Sequence, residues 1–271
     1  MPCQPLNDVQ FTKLARLAYD HWGLELLERK RVLVDNRISK LMSRGAYANL
    51  DDLLNKATRA GDGLRDLFDV LSTNHTGFYR ESAHFDCLLE EIIRPAAKEE
   101  GPGAGRLRIW SAACSNGSEP YTMAMVLHDH LPNIAEKDVR ILATDLSDSA
   151  LVTARRGIYP GKAVRDLPRE CLSQHFVRNG EHFAVAPHLR KLVTFGVVNL
   201  IAPWKMTGPF DAIFCRNVMI YFDAPTKRLL VERLRDMLTP GKLLFVGSSE
   251  SLMGRVEGLK MLSPGAYRRV D

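Results

Sequence analysis

The apolar positions of the chain change period near residue 106, and the change divides the sequence in two. Up to about Asp69 they recur at helical spacing. Phe11, Leu14, Leu17 and Ala18 form one stripe, and Ile38, Leu41 and Met42 form another within a helix predicted from Asp35 to Arg44. Leu50 to Ala60 and Leu64 to Leu71 complete the set, with a break at Gly61-Asp62-Gly63. Few β-branched alternations occur here, so residues 1–72 are expected to form an all-α domain. The polar stretch STNHTGFYRE follows, then a helix from about His84 to Lys98 and a loop from Gly101 to Gly105.

From Arg106 short apolar runs alternate with amphipathic helices. The runs are RLRIWSA, VRILATD, LVTFGVV, FDAIFCRNVMIYF and GKLLFVGSS, and helices fit at Pro120 to Asp129, Ser149 to Arg156 and Pro225 to Leu238. This alternation predicts right-handed βαβ units and a parallel sheet within residues 73–271. The ligand site of such a sheet lies beyond the carboxyl ends of its strands, at a topological switch point. The stretch at about 160–192 breaks the alternation. It holds Asn179-Gly180 between two alternating runs, a strong hairpin signal, and predicts an inserted antiparallel β subdomain. A further hairpin is expected at Ser263 to Val270, at the sheet edge.

Composition narrows the class. Hydrophobic residues are 45% and charged residues 25% of the 271, which excludes disorder, collagen and coiled coil as the main state. No apolar run approaches the roughly 18 residues of a membrane span. The start, MPCQPLNDVQ, lacks the basic and apolar regions of a secretory signal, so a cytoplasmic protein is expected. The 37 basic and 32 acidic residues leave a net charge of +5, which permits an acidic partner without requiring nucleic acid. The five cysteines include no CxxC pair, so reduced thiols are expected rather than disulfides or a zinc ribbon. The eight histidines show no HExxH or HxxxH spacing, and His128 and His130 stand two apart on a predicted helix, facing different ways. No metal site is expected.

The residues that carry chemistry sit at successive strand ends. The first strand runs into Ser111-Ala112-Ala113-Cys114-Ser115-Asn116-Gly117-Ser118-Glu119-Pro120, a loop of small residues before a helix opened by proline. That is a nucleotide-cofactor turn, but with one glycine it is not GxGxxG, and Glu119 argues against a phosphate. Glu119 suits a cofactor with a positive charge, or serves only as an acidic group favoured by the helix dipole. Asp145 ends the second strand and can accept hydrogen bonds from both ribose hydroxyls, or cap the next helix in competition with Ser147. Asn199, followed by Leu200, could read an adenine edge through its amide. Arg216, Asn217 and Tyr221 lie in FCRNVMIYF. An Arg in so apolar a run marks either an active-site rim or a structural ion pair.

TNHTGFYRE, SAACSNGSEPYT, ATDLS, FGVVNL and FDAIFCRNVMIYF, in that order and over nearly the whole chain, resemble the chemotaxis receptor methyltransferases of the CheR type. The resemblance implies a seven-stranded, Rossmann-like S-adenosylmethionine-dependent methyltransferase sheet of α/β class, carrying a small antiparallel β subdomain and preceded by an all-α N-terminal domain. It implies methyl transfer from S-adenosylmethionine to glutamate side chains of chemoreceptor cytoplasmic helices, with S-adenosylhomocysteine as product. Residue by residue, Asn74, Thr76 and Arg80 would lie against the methionine part of the cofactor, Glu119 would bind its ammonium and Asp145 the ribose. Asn199 and the backbone of Leu200 would meet the adenine, and Arg216, Asn217 and Tyr221 would close the site near the sulfonium. Arg80 and Tyr221 are the catalytic candidates, holding cofactor and acceptor oxygen. One departure is visible: relatives commonly carry two acids before the proline, whereas here Ser118 precedes Glu119.

A glutamate acceptor has a reference pKa near 4.3 and is anionic at neutral pH, so no general base is needed. This agrees with the lack of a persuasive His/Asp or Cys/His arrangement. Competing readings are a methyltransferase of the same fold with another protein, a nucleic-acid or a small-molecule acceptor, and a non-catalytic signalling module. Against a nucleic-acid acceptor stands the absence of an aromatic platform interleaved with a basic stripe. Between Lys30 and Arg44 five basic residues meet one acid, Asp35, and the resemblance implies that Arg37, Lys40 and Arg44 dock the acidic receptor. No tail peptide at the receptor's C-terminus is expected as a partner, because the turn at Asn179-Gly180 is short.

Overall fold

In the computed structural model, which describes residues 5–58, 62–72, 75–99, 105–252 and 256–271, ten strands form two sheets. The strands are β1 (Leu107–Ala112), β2 (Val139–Asp145), β3 (Ile158–Pro160), β4 (Phe176–Asn179), β5 (His182–Val185), β6 (Val193–Val197), β7 (Phe210–Cys215), β8 (Leu238–Val246), β9 (Leu259–Ser263) and β10 (Ala266–Arg269). The large sheet has seven strands in the order β6-β2-β1-β7-β8-β10-β9. β6, β2, β1, β7 and β8 run parallel, and β10 and β9 are antiparallel to their neighbours. From β1 the chain steps outward through β2 to β6, then returns to the other flank of β1 with β7. The switch point is therefore between β1 and β7, and a cleft opens above their carboxyl ends.

The helices are α1 (Asp8–Trp22), α2 (Arg31–Met42), α3 (Leu50–Thr58), α4 (Asp62–Leu71), α5 (Ala83–Leu88), α6 (Arg94–Lys98), α7 (Ser118–His130), α8 (Asp148–Arg156), α9 (Gly161–Val164), α10 (Arg169–His175), α11 (Pro187–Arg190) and α12 (Ala224–Asp236). Strand alternation sends neighbouring side chains into opposite layers. Trp110, Ile213 and Leu244 join α12 and the buried stripes of the N-terminal helices, Phe11, Leu14 and Leu17 among them. Ile109, Phe214 and Phe245 join the layer of α5 and α7 on the other face. Buried apolar side chains of this size contribute roughly 1.5–3 kcal/mol each. The N-terminal core is thus continuous with one face of the sheet.

Local chemistry sets the element ends. The Asn7 side chain accepts from Gln10 N, and the Gln10 side chain returns the bond, which starts α1; Gly23, in the left-handed region at φ 68°, stops it. The second helix starts at Arg31 and not at Asp35, whose carboxylate instead accepts from Leu6 N at 3.1 Å. It ends at Met42, where Gly45 at φ 74° closes a turn onto the Met42 carbonyl. Arg44 therefore lies beyond the helix and not on its face with Arg37 and Lys40.

The small sheet, in the order β3-β5-β4, is antiparallel throughout and lies where the inserted subdomain is expected. Asn179 pairs with His182, so the central turn positions are Gly180 and Glu181, one residue later than Asn179-Gly180. Gly180 has φ 59°, as a two-residue turn with glycine first requires. The terminal hairpin forms from β9 and β10 at the sheet edge, as expected. Cys87, Cys114, Cys171 and Cys215 are free thiols, and Cys3 lies outside the described residues. No helix among the described residues is long and apolar enough to cross a membrane.

Candidate functional site

The turn after β1 is folded by its own backbone. Ala113 N and Cys114 N both donate to the Thr144 carbonyl at 2.8 Å, and Ser115 N donates to Asp145 Oδ2 at 2.7 Å. Gly117 is required where it stands: at φ 89°, an added Cβ would lie 2.9 Å from Ala154 Cβ and 3.0 Å from the Tyr159 hydroxyl. The single glycine is thus explained by close helix packing, and α7 begins directly after it with Ser118 and Glu119.

Glu119 lies at the bottom of the cleft. Its Oε1 accepts from the Ser111 hydroxyl at 2.7 Å and its Oε2 from Arg216 at 2.9 Å. Arg216, with a side chain 2% exposed, also pairs with Glu81 Oε2 at 3.0 Å and donates to the Arg80 carbonyl. Its guanidinium lies over the Phe85 ring, 5.5 Å from the centroid. The apolar run around Arg216 is therefore compatible with charge because two carboxylates and an aromatic face receive it. Burial pushes the Glu119 carboxyl above its ordinary value, with Arg216 pulling against that rise. Burial also pushes on Glu81, but the hydrogen bond and charge of Arg216, with help from Asn217, hold it below the ordinary range.

Asp145 closes the second strand, buried, with Oδ2 on Ser115 N and Oδ1 on Ser147 N at 2.8 Å. Burial raises its pKa against these two backbone bonds. Ser147, not Asp145, caps α8, accepting from Ala150 N at 3.1 Å. Asn199 donates its amide to the His21 carbonyl at 2.7 Å and accepts from Ile201 N at 3.2 Å, which ties the segment after β6 to α1. The Leu200 carbonyl accepts from Arg233 at 3.0 Å. Asn217, at φ 58°, donates to Glu81 Oε1 at 3.3 Å, while its backbone N–H meets Glu250 Oε2 at 2.6 Å.

Thr76, Arg80, Glu119, Asp145, Asn199, Leu200, Arg216, Asn217 and Tyr221 all line one cleft of about 230 Å³; Asn74 lies outside the described residues. Arg80 donates to the His75 carbonyl, and the Tyr221 ring lies 5.6 Å beneath Lys30 Nζ. Arg37 lines the wall too and donates to the Ser72 carbonyl at 3.2 Å and to that of Leu71, so part of its guanidinium is held by the end of α4. Lys40 and Arg44 are exposed and flank a shallow extension of the same cleft.

Several groups of the site escaped the sequence reading. Trp22, Leu33, Val34 and Phe68 give the cleft an N-terminal wall, held on by the Glu25 N–H to the Tyr221 carbonyl at 2.9 Å. Glu81 was visible as the last residue of TNHTGFYRE, but its partner Arg216 is 135 residues away. Glu250, which holds Asn217 N, Gly247 N and Ile220 N, had no local signal. Among the non-glycine residues with left-handed backbone, Ala113, Ser115 and Asn217 line this cleft, and Tyr79 and Glu81 flank its lining residue Arg80 in the chain. Such conformations persist where surrounding bonds over-determine them, as they do here for Glu81 and Asn217.

The charge distribution separates by depth. Deep in the lining, the one guanidinium of Arg216 is shared between Glu119 and Glu81, while buried Asp145 is met by backbone N–H groups, so the floor is acidic. A sulfonium or ammonium group fits such a floor; a pyrophosphate does not. With this strand order, the arrangement defines the class of S-adenosylmethionine-dependent methyltransferases. Residues 74–267 match the family model described as CheR methyltransferase, SAM binding domain, and the chain belongs to that family. It is similar to the chemotaxis protein methyltransferase of Borreliella burgdorferi, with 36% identity over 267 residues, covering 96% of this chain and 94% of that protein. Identity to chemotaxis protein methyltransferase 1 of Pseudomonas aeruginosa is 37% over 255 residues, covering 91% and 92% of the two chains. The Escherichia coli chemotaxis protein methyltransferase is 37% identical over 254 residues, covering 91% and 85%. The chain is accordingly an S-adenosylmethionine-dependent methyltransferase of the CheR family.

Proposed function

We propose that the acidic floor holds the cofactor, and that the basic groups above it draw in the receptor's anionic glutamate. The observation that carries this reading is the separation by depth: Asp145 is buried and the Glu119 side chain is 12% exposed, whereas the lining cations Lys30, Arg37 and Arg80 are half-buried and outnumber the exposed Glu25 near them. Glu119 binds the ammonium end with the lone pairs that Ser111 and Arg216 leave. Asp145, whose oxygens are met by the backbone N–H groups of Ser115, Leu146 and Ser147, retains acceptor capacity for the ribose hydroxyls. Asn199 acts at the adenine end, where its amide bond to His21 leaves a second N–H, and the Leu200 backbone borders it. Thr76 and Arg80 border the methionine part, and Asn217 supports that end through Glu81. Arg216 keeps the floor charged from beneath.

S-adenosylmethionine supplies an electrophilic methyl group. The acceptor carboxylate is already anionic, so the work of the protein is alignment and exclusion of water, and orientation alone can contribute about 7–11 kcal/mol. Tyr221 and Arg80 are proposed to hold the acceptor oxygen. Buried thiols are no rivals as nucleophiles, since burial pushes Cys114 and Cys215 well up. Residues 1–72 serve as the receptor-docking unit, with Lys40 and Arg44 presenting positive charge outside the cleft and Arg37 linking them to it. The protein works in the cytoplasm, on the receptor helices themselves and without a tail peptide, because the tight hairpin of β4 and β5 has no loop to cradle an added strand.

Incubation of the protein with methyl-labelled S-adenosylmethionine and a receptor cytoplasmic fragment tests the reading. Alkali-labile label on receptor glutamates is expected. Label stable to alkali would overturn the ester chemistry. His75 lines the cleft, so loss of turnover in His75→Ala with cofactor affinity intact would overturn the base-free step.

A further inference from the structure

Three histidines that no sequence spacing connects come together away from the cofactor cleft. His128 is on the last turn of α7, His175 ends α10, and His188 is on α11. One ring nitrogen from each lies within 4.8 Å of the others. None of the three lines the cleft. The expectation of no metal site rested on pairs close in sequence; here the partners of His128 come from the inserted β subdomain.

We propose that His128, His175 and His188 bind a divalent transition-metal ion of the zinc class, which clasps the β subdomain to α7. His175 is fully buried, and its Nε2 lies 2.9 Å from Asp129 Oδ1. A carboxylate in that position receives the Nε2 proton and leaves Nδ1 as a lone pair. A ligating histidine normally shows this outer carboxylate contact. His175 Nδ1 lies 3.5 Å from His188 Nε2. Two nitrogens on one tetrahedral zinc, at about 2.0–2.1 Å from the metal, stand roughly 3.4 Å apart, so this pair is already at ligand spacing. His128 closes the group, its ring centroid 4.3 Å from that of His188. His128 Nδ1 is buried with no hydrogen-bond partner, and a buried polar atom in that condition calls for a ligand or an ion nearby. Asp129 Oδ1 lies 3.6 Å from that nitrogen and also accepts from the Gln174 amide at 3.0 Å, so one carboxylate contacts two of the three histidines.

Neutral imidazoles without a thiolate suit zinc, copper or nickel rather than magnesium or calcium. Three protein ligands leave a fourth position for water or an added ligand. Because α10 and α11 bracket the hairpin of β4 and β5, the ion would join both ends of the subdomain to the helix that opens at Glu119. Its role is therefore structural, and it adds no step to methyl transfer.

The test uses the full chain after treatment with chelator. Calorimetric titration with zinc chloride is expected to show one ion bound per chain and a raised melting temperature, and cobalt is expected to give the visible absorption of a tetrahedral site. His188→Ala should abolish both signals. Asp129→Asn, which keeps the volume of the carboxylate, should weaken zinc ~10–100-fold, as loss of an outer carboxylate does. His130→Ala, an exposed histidine of the same helix, should change neither. Cofactor affinity should be equal with and without zinc, which separates this site from the cleft. No zinc uptake by the wild-type chain, or uptake and cobalt spectrum unaltered by His188→Ala and Asp129→Asn together, would overturn the proposal.

Discussion

Replacing Arg216 by methionine removes one charge and little volume from beneath the cleft. In the native protein its guanidinium, almost wholly buried, holds Glu119 at 2.9 Å and Glu81 at 3.0 Å. The carboxylates are 12% and 22% exposed, so water can do little to replace it. Removing one partner from a buried ionic group costs about 3–5 kcal/mol, because the remaining charges are left uncompensated. With an unfolding entropy of roughly 2.1 cal/mol/K per residue, the 271-residue chain should melt about 5–9 °C lower if it unfolds in one transition. The pH dependence separates this cause from simple loss of packing. In the native protein Glu81 is held below its ordinary pKa, so the stability it contributes is present above the unfolded value near 4.3 and lost as pH falls through the folded value. In Arg216→Met burial is opposed only by neutral hydrogen bonds, from Ser111 to Glu119 and from Asn217 and Ser248 to Glu81, and both carboxyls rise above the unfolded value. The folded variant then binds more protons than the unfolded chain and loses stability as pH rises. The gap between the two proteins should therefore be widest at neutral pH and shrink on acidification toward pH 5. Calorimetric melting at pH 7 and pH 5 measures it. Equal melting temperatures at pH 7, or a deficit of the same size at both pH values, would refute the charge argument.

Asp145→Ala should weaken S-adenosylmethionine and S-adenosylhomocysteine by about 1.5–3 kcal/mol each, the usual worth of hydrogen bonds to a charged group; titration calorimetry with unchanged affinities would remove Asp145 from the cofactor site. Reversing Lys40 and Arg44 to Glu should raise the Michaelis constant for receptor at low salt, leave cofactor affinity alone, and lose its effect as salt is raised; equal kinetics at low salt would count against docking by this face. Truncating the last residues of a receptor substrate should leave its methylation rate nearly unchanged, and a large loss of rate would show that the subdomain binds a tail after all.

How much of this was legible in the sequence depended on the range of the forces involved. Strands and helices of the sheet domain came from local periodicity, and the core residues Ile109, Ile213 and Phe245 follow from it directly. Asp145 and Glu119 stood out because an acid at a strand end or helix entrance has few local explanations. Arg216 could be read two ways, as a rim or an ion pair, since nothing near it in sequence identifies Glu81 and Glu119 as its partners. The structure has it buried beneath the cleft between both, with one edge on the lining. Boundary shifts had equally physical origins. Asp35 is used by Leu6 N rather than as a helix start, and Gly45 ends α2 before Arg44. The turn moved one residue because a glycine with positive φ takes its first central position. The apolar wall from Trp22, Val34 and Phe68 had no signal of its own, because a helical stripe does not say which of its members border a cleft.

The pairing at Arg216 also bears on the role proposed for Glu119, that of a cation receptor set deep in the cleft. Burial alone drives a carboxyl toward its neutral form, and a neutral Glu119 would offer an ammonium group little. A full counter-charge on Glu119 alone would have the opposite defect, since a one-to-one ion pair leaves no negative charge for a ligand. Sharing one guanidinium between Glu119 and Glu81 lies between these limits: Arg216 opposes protonation of both acids while the group of three keeps a net negative charge. The same guanidinium bonds the Arg80 carbonyl, so the acid proposed to receive the cofactor's cation and the backbone that carries Arg80 are fixed to one atom group. In the proposed reaction, the floor that attracts the sulfonium and the wall that attracts the acceptor carboxylate are thereby held in one geometry. For an enzyme whose chemistry needs no proton transfer, that geometry is the main contribution the protein can make.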